Sequence, residues 1–446
     1  MILGPTYAEM RDPCRRDPGF RQAVRDADLL DPLKLHDIRW VGDDGQVRAW
    51  VVPPALTGVE APIALILGNG FPTGAHKVGA AYCCVIEDQL SGLLTPGEHT
   101  LVFPSTGNYG IGGSWVGPRM GYRSTVVLPE EMSAERFEMI RGFGADVIAT
   151  PGCESNVKEI YDEVWRLKQR PEIRVLNQFE AMGNYRFHRG VTGPAVAQLA
   201  ADLGHGRVAA FVSAMGSGGT IAAGDHLKAL YDTAIVGVEP VQCPTLYNAG
   251  YGGHRIEGIG DKHVTWVHNV MNMDLLCCVD DDSCVAYLQL LQEGADVVAA
   301  ELGLTQADVD GWRDNLGVSG LCNLLGAIKT AKALQFGPDD LVVTVATDGF
   351  DRYPSVLRDL DARVGPQTRD VALRRLGALQ ATGSDWVQEG TAYHRRRWHN
   401  QKYYTWVEQQ QRTVDDLEAL ADPAFWEAQA ARISEIDRQI LAARGA

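Results

Sequence analysis

Short apolar runs alternate with longer stretches of helical spacing along this chain as far as about Leu357. The runs are PIALIL at Pro62 to Leu67, TLVF at Thr100 to Phe103 and STVVL at Ser124 to Leu128. Ala145 to Ala149, Arg174 to Leu176, Val208 to Val212, Ile235 to Val238 and Leu341 to Val345 continue the series. Each is short enough to be a strand buried on both faces. Between them, Ala75 to Leu90, Ser133 to Arg141, Asn156 to Gln169, Gly193 to Leu203, Ile221 to Tyr231 and much of Val285 to Leu304 carry apolar residues at helical spacing. Strand and helix in alternation, joined by glycine turns, predict an α/β protein with a parallel, doubly wound sheet covered on both sides. Ahead of Pro54 lies a lead-in with one partly alternating arm, Gln46 to Val52. Beyond Arg358 the pattern turns helical, as at Val414 to Leu420 and Phe425 to Ala442, and predicts no strand.

Composition narrows the function classes. The 446 residues are 45% hydrophobic and 22% charged, which suits a globular enzyme large enough to enclose a deep pocket. A net charge of −16 disfavours nucleic acid or an anionic membrane as the main partner. The nine cysteines include two adjacent pairs and no CxxC, so no disulfide framework or zinc site is spelled out, and no metal is expected. They are read as reduced core residues. The N-terminus lacks a signal-like apolar core and no run approaches membrane-spanning length, which sets a cytoplasmic expectation.

Three turns carry candidate chemistry. GFPTGAHKVGAAY, Gly70 to Tyr82, puts Lys77 near a helix start after turn residues, where an amine can point into a cleft and anchor a carbonyl cofactor; a solvated surface lysine is the plain alternative. MGSGGT, Met215 to Thr220, lies between strand and helix, where exposed N–H groups and the helix dipole stabilise a phosphate; it is neither GxGxxG nor a P-loop, and a turn that only permits close packing would look alike. STGNYG, Ser105 to Gly110, adds hydroxyls and an amide that can hold a carboxylate, or that can simply cap a helix. All three open at the carboxyl edge of the predicted sheet, where open α/β folds bind ligands. A phosphorylated aldehyde joined to Lys77 and receiving an amino acid would use every one of them.

On these motifs the chain resembles the pyridoxal-phosphate enzymes of the tryptophan synthase β group, fold type II, and is most similar to cysteine synthase and cystathionine β-synthase. PTGAHK resembles the lysine segment, STGNYG the substrate-carboxylate loop and GSGGT the phosphate loop. NQFE at Asn177 to Glu180 with TGP at Thr192 to Pro194 is similar to the stretch holding a substrate glutamine, EGIG at Glu257 to Gly260 to a glycine segment facing the cofactor, and GVSG at Gly317 to Gly320 to a late helix start. The matches keep family order from about Gly68 to Ser355.

The resemblance implies two interleaved doubly wound domains with largely parallel sheets and a helical C-terminal extension. Residues 1–97 and 206–357 would form the larger, cofactor-binding domain, 98–205 the smaller substrate-loop domain and 358–446 the extension. It implies pyridoxal 5'-phosphate as cofactor, imine-linked to Lys77, which then serves as acid and base. His76 would approach the phosphate, unless it is a cap or core histidine. Gly216, Ser217, Gly218, Gly219 and Thr220 would hold the phosphate, Asn108 the 3'-oxygen, and Gly258 would face the ring. Ser105, Thr106, Gly107, Asn108, Tyr109 and Gln178 would meet the substrate. The implied activity is β-replacement or β-elimination on a small amino acid through an aminoacrylate, with a threonine synthase or serine dehydratase type of lyase, or a non-catalytic homologue, as alternatives. A homodimer is expected.

Two departures from the family pattern bear on the chemistry. Tyr109 stands where a threonine is usual and would reshape the substrate pocket. At ATDGFDRYPS either Thr347 or Asp348 faces the pyridine nitrogen; a hydroxyl leaves that nitrogen unprotonated, a carboxylate protonates it, and the register favours Thr347. The basic and aromatic stretch Ala392 to Trp406 superficially suggests nucleic acid. In so acidic a chain it reads instead as an arm packed on the body, or on a second subunit, through Trp398, Tyr403, Tyr404 and Trp406.

Overall fold

The computed structural model describes residues 2–445 apart from 106, 133 and 153–156. Its strands are β1 (Ala49–Val52), β2 (Ile63–Leu67), β3 (Thr100–Pro104), β4 (Arg123–Pro129), β5 (Asp146–Thr150), β6 (Ile173–Val175), β7 (Ala210–Ala214), β8 (Ala234–Pro240), β9 (Leu275–Val279), β10 (Val342–Ala346) and β11 (Val387–Glu389). They form a seven-stranded sheet in the order β1-β2-β10-β7-β8-β9-β11 and a four-stranded sheet in the order β5-β4-β3-β6. Only the edge pairs β1/β2 and β9/β11 are antiparallel; β2, β10, β7, β8 and β9 run parallel, as do all strands of the smaller sheet. The chain leaves the large sheet after β2, builds the small one, and returns at β7. This is the interleaved arrangement that the resemblance implies, built of the parallel strands that the apolar runs predict.

Both faces of the large sheet are covered, which is why β9 and β10 are buried at every position. One face packs Ala64, Ile66, Val343 and Val345 against the Lys77–Leu90 helix. The opposite face packs Leu65, Val212, Val238 and Val342 against helices Asp281–Glu293 and Val318–Ala333. Among the described residues the cysteines are free thiols, buried except for Cys14, and no helix is long and apolar enough to cross a membrane.

Three elements differ from the sequence expectation. β9, LLCCV, carries no alternation and no strong turn before it, and was not foreseen. β11 lies in the extension, where no strand was predicted; Val387 to Glu389 pair with Leu275 to Cys277 and close the edge of the large sheet. Asn108–Arg119 is helical despite four glycines and Pro118. Propensity opposes it, but close packing selects it: a Cβ at Gly112 would lie 2.8 Å from Val78 Cα, and one at Gly113 would run into the Phe103 ring.

Candidate active site

Four connections at the carboxyl ends of β2, β3, β7 and β10 meet. After β2 the chain turns through Gly74, at φ +68°, and enters the Lys77–Leu90 helix at its first residue. The turn is tied to the end of β10, because His76 N donates to Thr347 O at 3.3 Å and Ala75 bridges Asp348. Lys77 Nζ donates to Gly258 O at 3.2 Å. Gly258 itself, at φ +88°, is open enough that an added Cβ would find only Asn108 Nδ2, at 4.0 Å. Asn108 begins the helix after β3 and donates Nδ2 to Asp348 Oδ2 at 2.7 Å. Gly216 completes the ring, since a Cβ there would lie 2.8 Å from Gly258 O. Lys77, Asn108, Gly216, Gly258 and Asp348 therefore share one crevice.

Around this centre the other expected residues divide. Ser105 is buried and its Oγ accepts from Gly107 N at 3.1 Å; Thr106 lies outside the described residues. Gln178 is buried, with its carbonyl accepting from Asn184 Nδ2 at 2.8 Å. Thr347 is nearly buried, whereas the Asp348 carboxylate is wholly buried and also accepts from the Tyr353 hydroxyl at 3.0 Å. Tyr109 does not shape the crevice. Its ring stands edge-on to Phe103 at 5.7 Å inside the main core, and its hydroxyl lies beside Cys84, about two turns beyond Lys77 along the same helix. The Tyr109 side chain therefore fills core volume instead of reshaping the substrate pocket.

His76 is fully buried, with Nε2 3.2 Å from Thr220 Oγ1 and its ring 5.3 Å from that of Trp40. Burial, and then the charge of Lys77, lower its pKa to about 3. In the protein alone this holds the imidazole neutral, with Nε2 against the Thr220 hydroxyl. Since its pKa is lower folded than unfolded, its contribution to stability is complete above about 6.5 and fades as pH falls toward about 3. Urea unfolding at pH 5 and pH 7.5 should accordingly show a less stable protein at pH 5, and His76→Gln should narrow that difference.

The profile of the family described as pyridoxal-phosphate dependent enzyme matches residues 63–348, more than half of the chain. The chain belongs to the pyridoxal-phosphate dependent enzymes. A probable cysteine synthase of Bacillus subtilis is 32% identical over 286 residues, covering 64% of this chain and 85% of that relative. Among solved structures, a hydrogen sulfide-producing enzyme of Fusobacterium nucleatum is similar with a TM-score of 0.60 at 25% identity, over 74% of this chain and 91% of that one. A cysteine synthase of Entamoeba histolytica shares the fold at TM-score 0.63 and 22% identity, over 77% and 94% of the two chains.

The residues of this pyridoxal-phosphate dependent enzyme fit its cofactor on two grounds. Among the described residues, the N–H groups of Gly216, Ser217, Gly218 and Thr220 donate to no protein acceptor, and they lead into helix Ala222–Tyr231: a cup of open donors at a helix start. Buried polar atoms also lack protein partners, namely Asn108 Oδ1, Gln178 Oε1, Ser319 Oγ and His76 Nδ1. Leaving such atoms unpaired is costly, and a polar ligand relieves that cost.

Several site residues were not read from the sequence. Asn184 Nδ2 donates to Ser217 Oγ at 3.0 Å, and the Thr265 hydroxyl donates to Ser217 O at 2.7 Å, so both hold the Gly216–Thr220 loop. Arg136, fully buried, crosses from the small-sheet side to donate Nε to Glu257 Oε2 at 2.6 Å and Nη2 to the Tyr353 hydroxyl at 3.4 Å. None of them sits in a glycine turn, the only local signal available for such sites.

Proposed function

We propose that the enzyme carries out β-replacement or β-elimination on a small amino acid bearing a leaving group at Cβ, in the manner of a cysteine synthase. The observation that carries this is the convergence of Lys77, the Ser105–Asn108 loop and the open phosphate cup on one crevice. When bound, pyridoxal 5'-phosphate supplies an electron sink that lets an amino acid lose its α-proton and its β-substituent.

The chain's own residues divide the remaining work. The Lys77 amine anchors the cofactor and, once freed, takes the α-proton and returns it. Ser105 and Gln178 bind the substrate carboxylate, together with Thr106 and Asn108. The amides of Gly216 to Thr220 neutralise the phosphate without a lysine or arginine in the loop, and His76 fixes the Thr220 hydroxyl. Holding the 3'-oxygen takes an N–H donor, and Asn108 Nδ2 carries two, of which the bond to Asp348 uses one. Thr347 faces the pyridine nitrogen, because the Asp348 carboxylate is already engaged by Asn108 and Tyr353. The Arg136–Glu257 pair ties the small-sheet side to the large over the site and helps exclude water, which favours capture of the intermediate by an added nucleophile over hydrolysis. Residues 1–97 and 206–357 act as the cofactor half and 98–205 as the substrate half, consistent with the strands each contributes.

The test is product analysis with O-acetylserine, O-phosphoserine and cysteine, with and without sulfide. A new amino acid that depends on the nucleophile is expected. Pyruvate and ammonia as the sole products would reject replacement, and no turnover of any β-substituted amino acid would reject the reading.

A further inference from the structure

The segment Val264–His268 stands directly behind the phosphate cup. Its Thr265 hydroxyl donates to Ser217 O at 2.7 Å, and Gly218 approaches so closely that a Cβ there would lie 2.8 Å from Thr265 Oγ1 and 2.6 Å from His268 Cβ. The same segment reaches the Gln178 stretch, because Trp266 N and Val267 N both donate to Phe179 O, at 2.8 and 3.2 Å. This short piece of irregular backbone thus positions both the phosphate loop and a substrate-facing loop.

The C-terminal extension holds it there, although the family match ends at residue 348. Lys402 is wholly buried, and its Nζ donates to Trp266 O at 3.2 Å and His268 O at 2.6 Å. Trp406 Nε1 donates to Val264 O at 2.8 Å, and its ring lies 5.7 Å from that of Trp266. Arg412 lies over the Trp266 ring at 5.2 Å and pairs with Glu180 Oε2 at 2.9 Å, two residues after Gln178. A backbone with no ladder of its own takes its register from these donors. Burying a lysine amine is costly unless it is hydrogen-bonded, and the Trp266 and His268 carbonyls supply those bonds.

We propose that the C-terminal extension is a working part of the cofactor site, with Lys402 as the positioning residue that fixes Val264–His268 and so shapes the phosphate cup. The proposal rests on the reading that Gly216–Thr220 holds the cofactor phosphate. Loss of Lys402 lets the segment relax, the cup loses its geometry, and affinity falls for ligands that carry a phosphate. Pyridoxal, which lacks one, is bound as before.

The experiment is titration of cofactor-free protein with pyridoxal 5'-phosphate and with pyridoxal, followed by tryptophan fluorescence, and a phosphorus NMR spectrum of each loaded protein. Lys402→Met should weaken pyridoxal 5'-phosphate binding about tenfold and move the phosphorus resonance, and Trp406→Phe, which keeps a smaller aromatic ring and drops the donor, about threefold. Pyridoxal binding should stay within about twofold throughout, as should both ligands with Arg396→Gln, which removes an exposed pair to Glu418 elsewhere on the extension. Unchanged phosphate-ligand affinity in Lys402→Met and Trp406→Phe overturns the proposal, and so does an equal loss for both ligands, which would mean general loosening. Should Lys402→Met fail to fold, Trp406→Phe decides alone. Gly218→Ala separates the two readings: if it weakens pyridoxal 5'-phosphate binding while the extension variants do not, the proposal falls and the cup stands; if it too has no effect, the cup reading fails and takes the proposal with it.

Discussion

Lys77→Ala should lower turnover of a β-substituted amino acid by more than about a thousandfold, since one group is then missing as both anchor and proton carrier. The fold should survive. Lys77 occupies the first position of its helix, and its amine donates to Gly258 O in the crevice rather than within packed core. Thermal unfolding of the variant should therefore stay close to that of the wild type while the visible absorption of the loaded protein disappears. Retained activity with retained colour would mean that another amine carries the chemistry. Added methylamine supplies a further check, because a small external amine can replace a missing proton carrier but not a collapsed site.

Gly112→Val should damage the enzyme from a position away from the crevice itself. The helix that starts at Asn108 lies so close to the helix that starts at Lys77 that an added Cβ would sit 2.8 Å from Val78 Cα and 3.1 Å from Val78 N, backbone atoms that cannot swing aside. Valine forces the two helices apart, at an expected cost of about 2–3 kcal/mol in stability, read as a lowered urea midpoint. Activity should fall further than stability accounts for. Both helices begin at site residues, and a displacement of about 1 Å between reacting groups costs on the order of a hundredfold in rate. A variant that loses stability but keeps the wild-type rate per folded molecule would separate the packing of these helices from the placement of Lys77 and Asn108.

How much of this could be read from sequence depended on whether a residue's neighbours in the chain were also its neighbours in space. Lys77, Ser105 and Gly216 to Thr220 sit in turns directly after apolar strands, and the rule that parallel sheets bind ligands at their carboxyl edge assembles them without coordinates. Asn184, Thr265, Arg136 and Tyr353 reach the site from helix or loop interiors, with no local pattern to mark them. Tyr109 stands where the family pattern has a threonine, and that substitution alone suggests a reshaped pocket. The motif is the first turn of a helix, where successive side chains diverge by about 100°, and the tyrosine points into core. The Asn108–Arg119 helix was itself masked by glycines that serve contact rather than flexibility. The extension was legible as helices with a buried aromatic face: Trp398 and Trp406 are buried as expected, while Tyr404 is 70% exposed. That it would reach the rear of the phosphate cup depends on long-range packing, which periodicity does not carry.

The central claim is that Lys77, and no other lysine, anchors the cofactor. Borohydride reduction of the loaded protein fixes the cofactor to whichever amine holds it, and peptide mass mapping then finds that amine. The phosphopyridoxyl mass is expected on the peptide containing Gly74 to Tyr82, at Lys77. The same mass on Lys402, Lys262 or any other lysine, with the Lys77 peptide unmodified, would contradict the account.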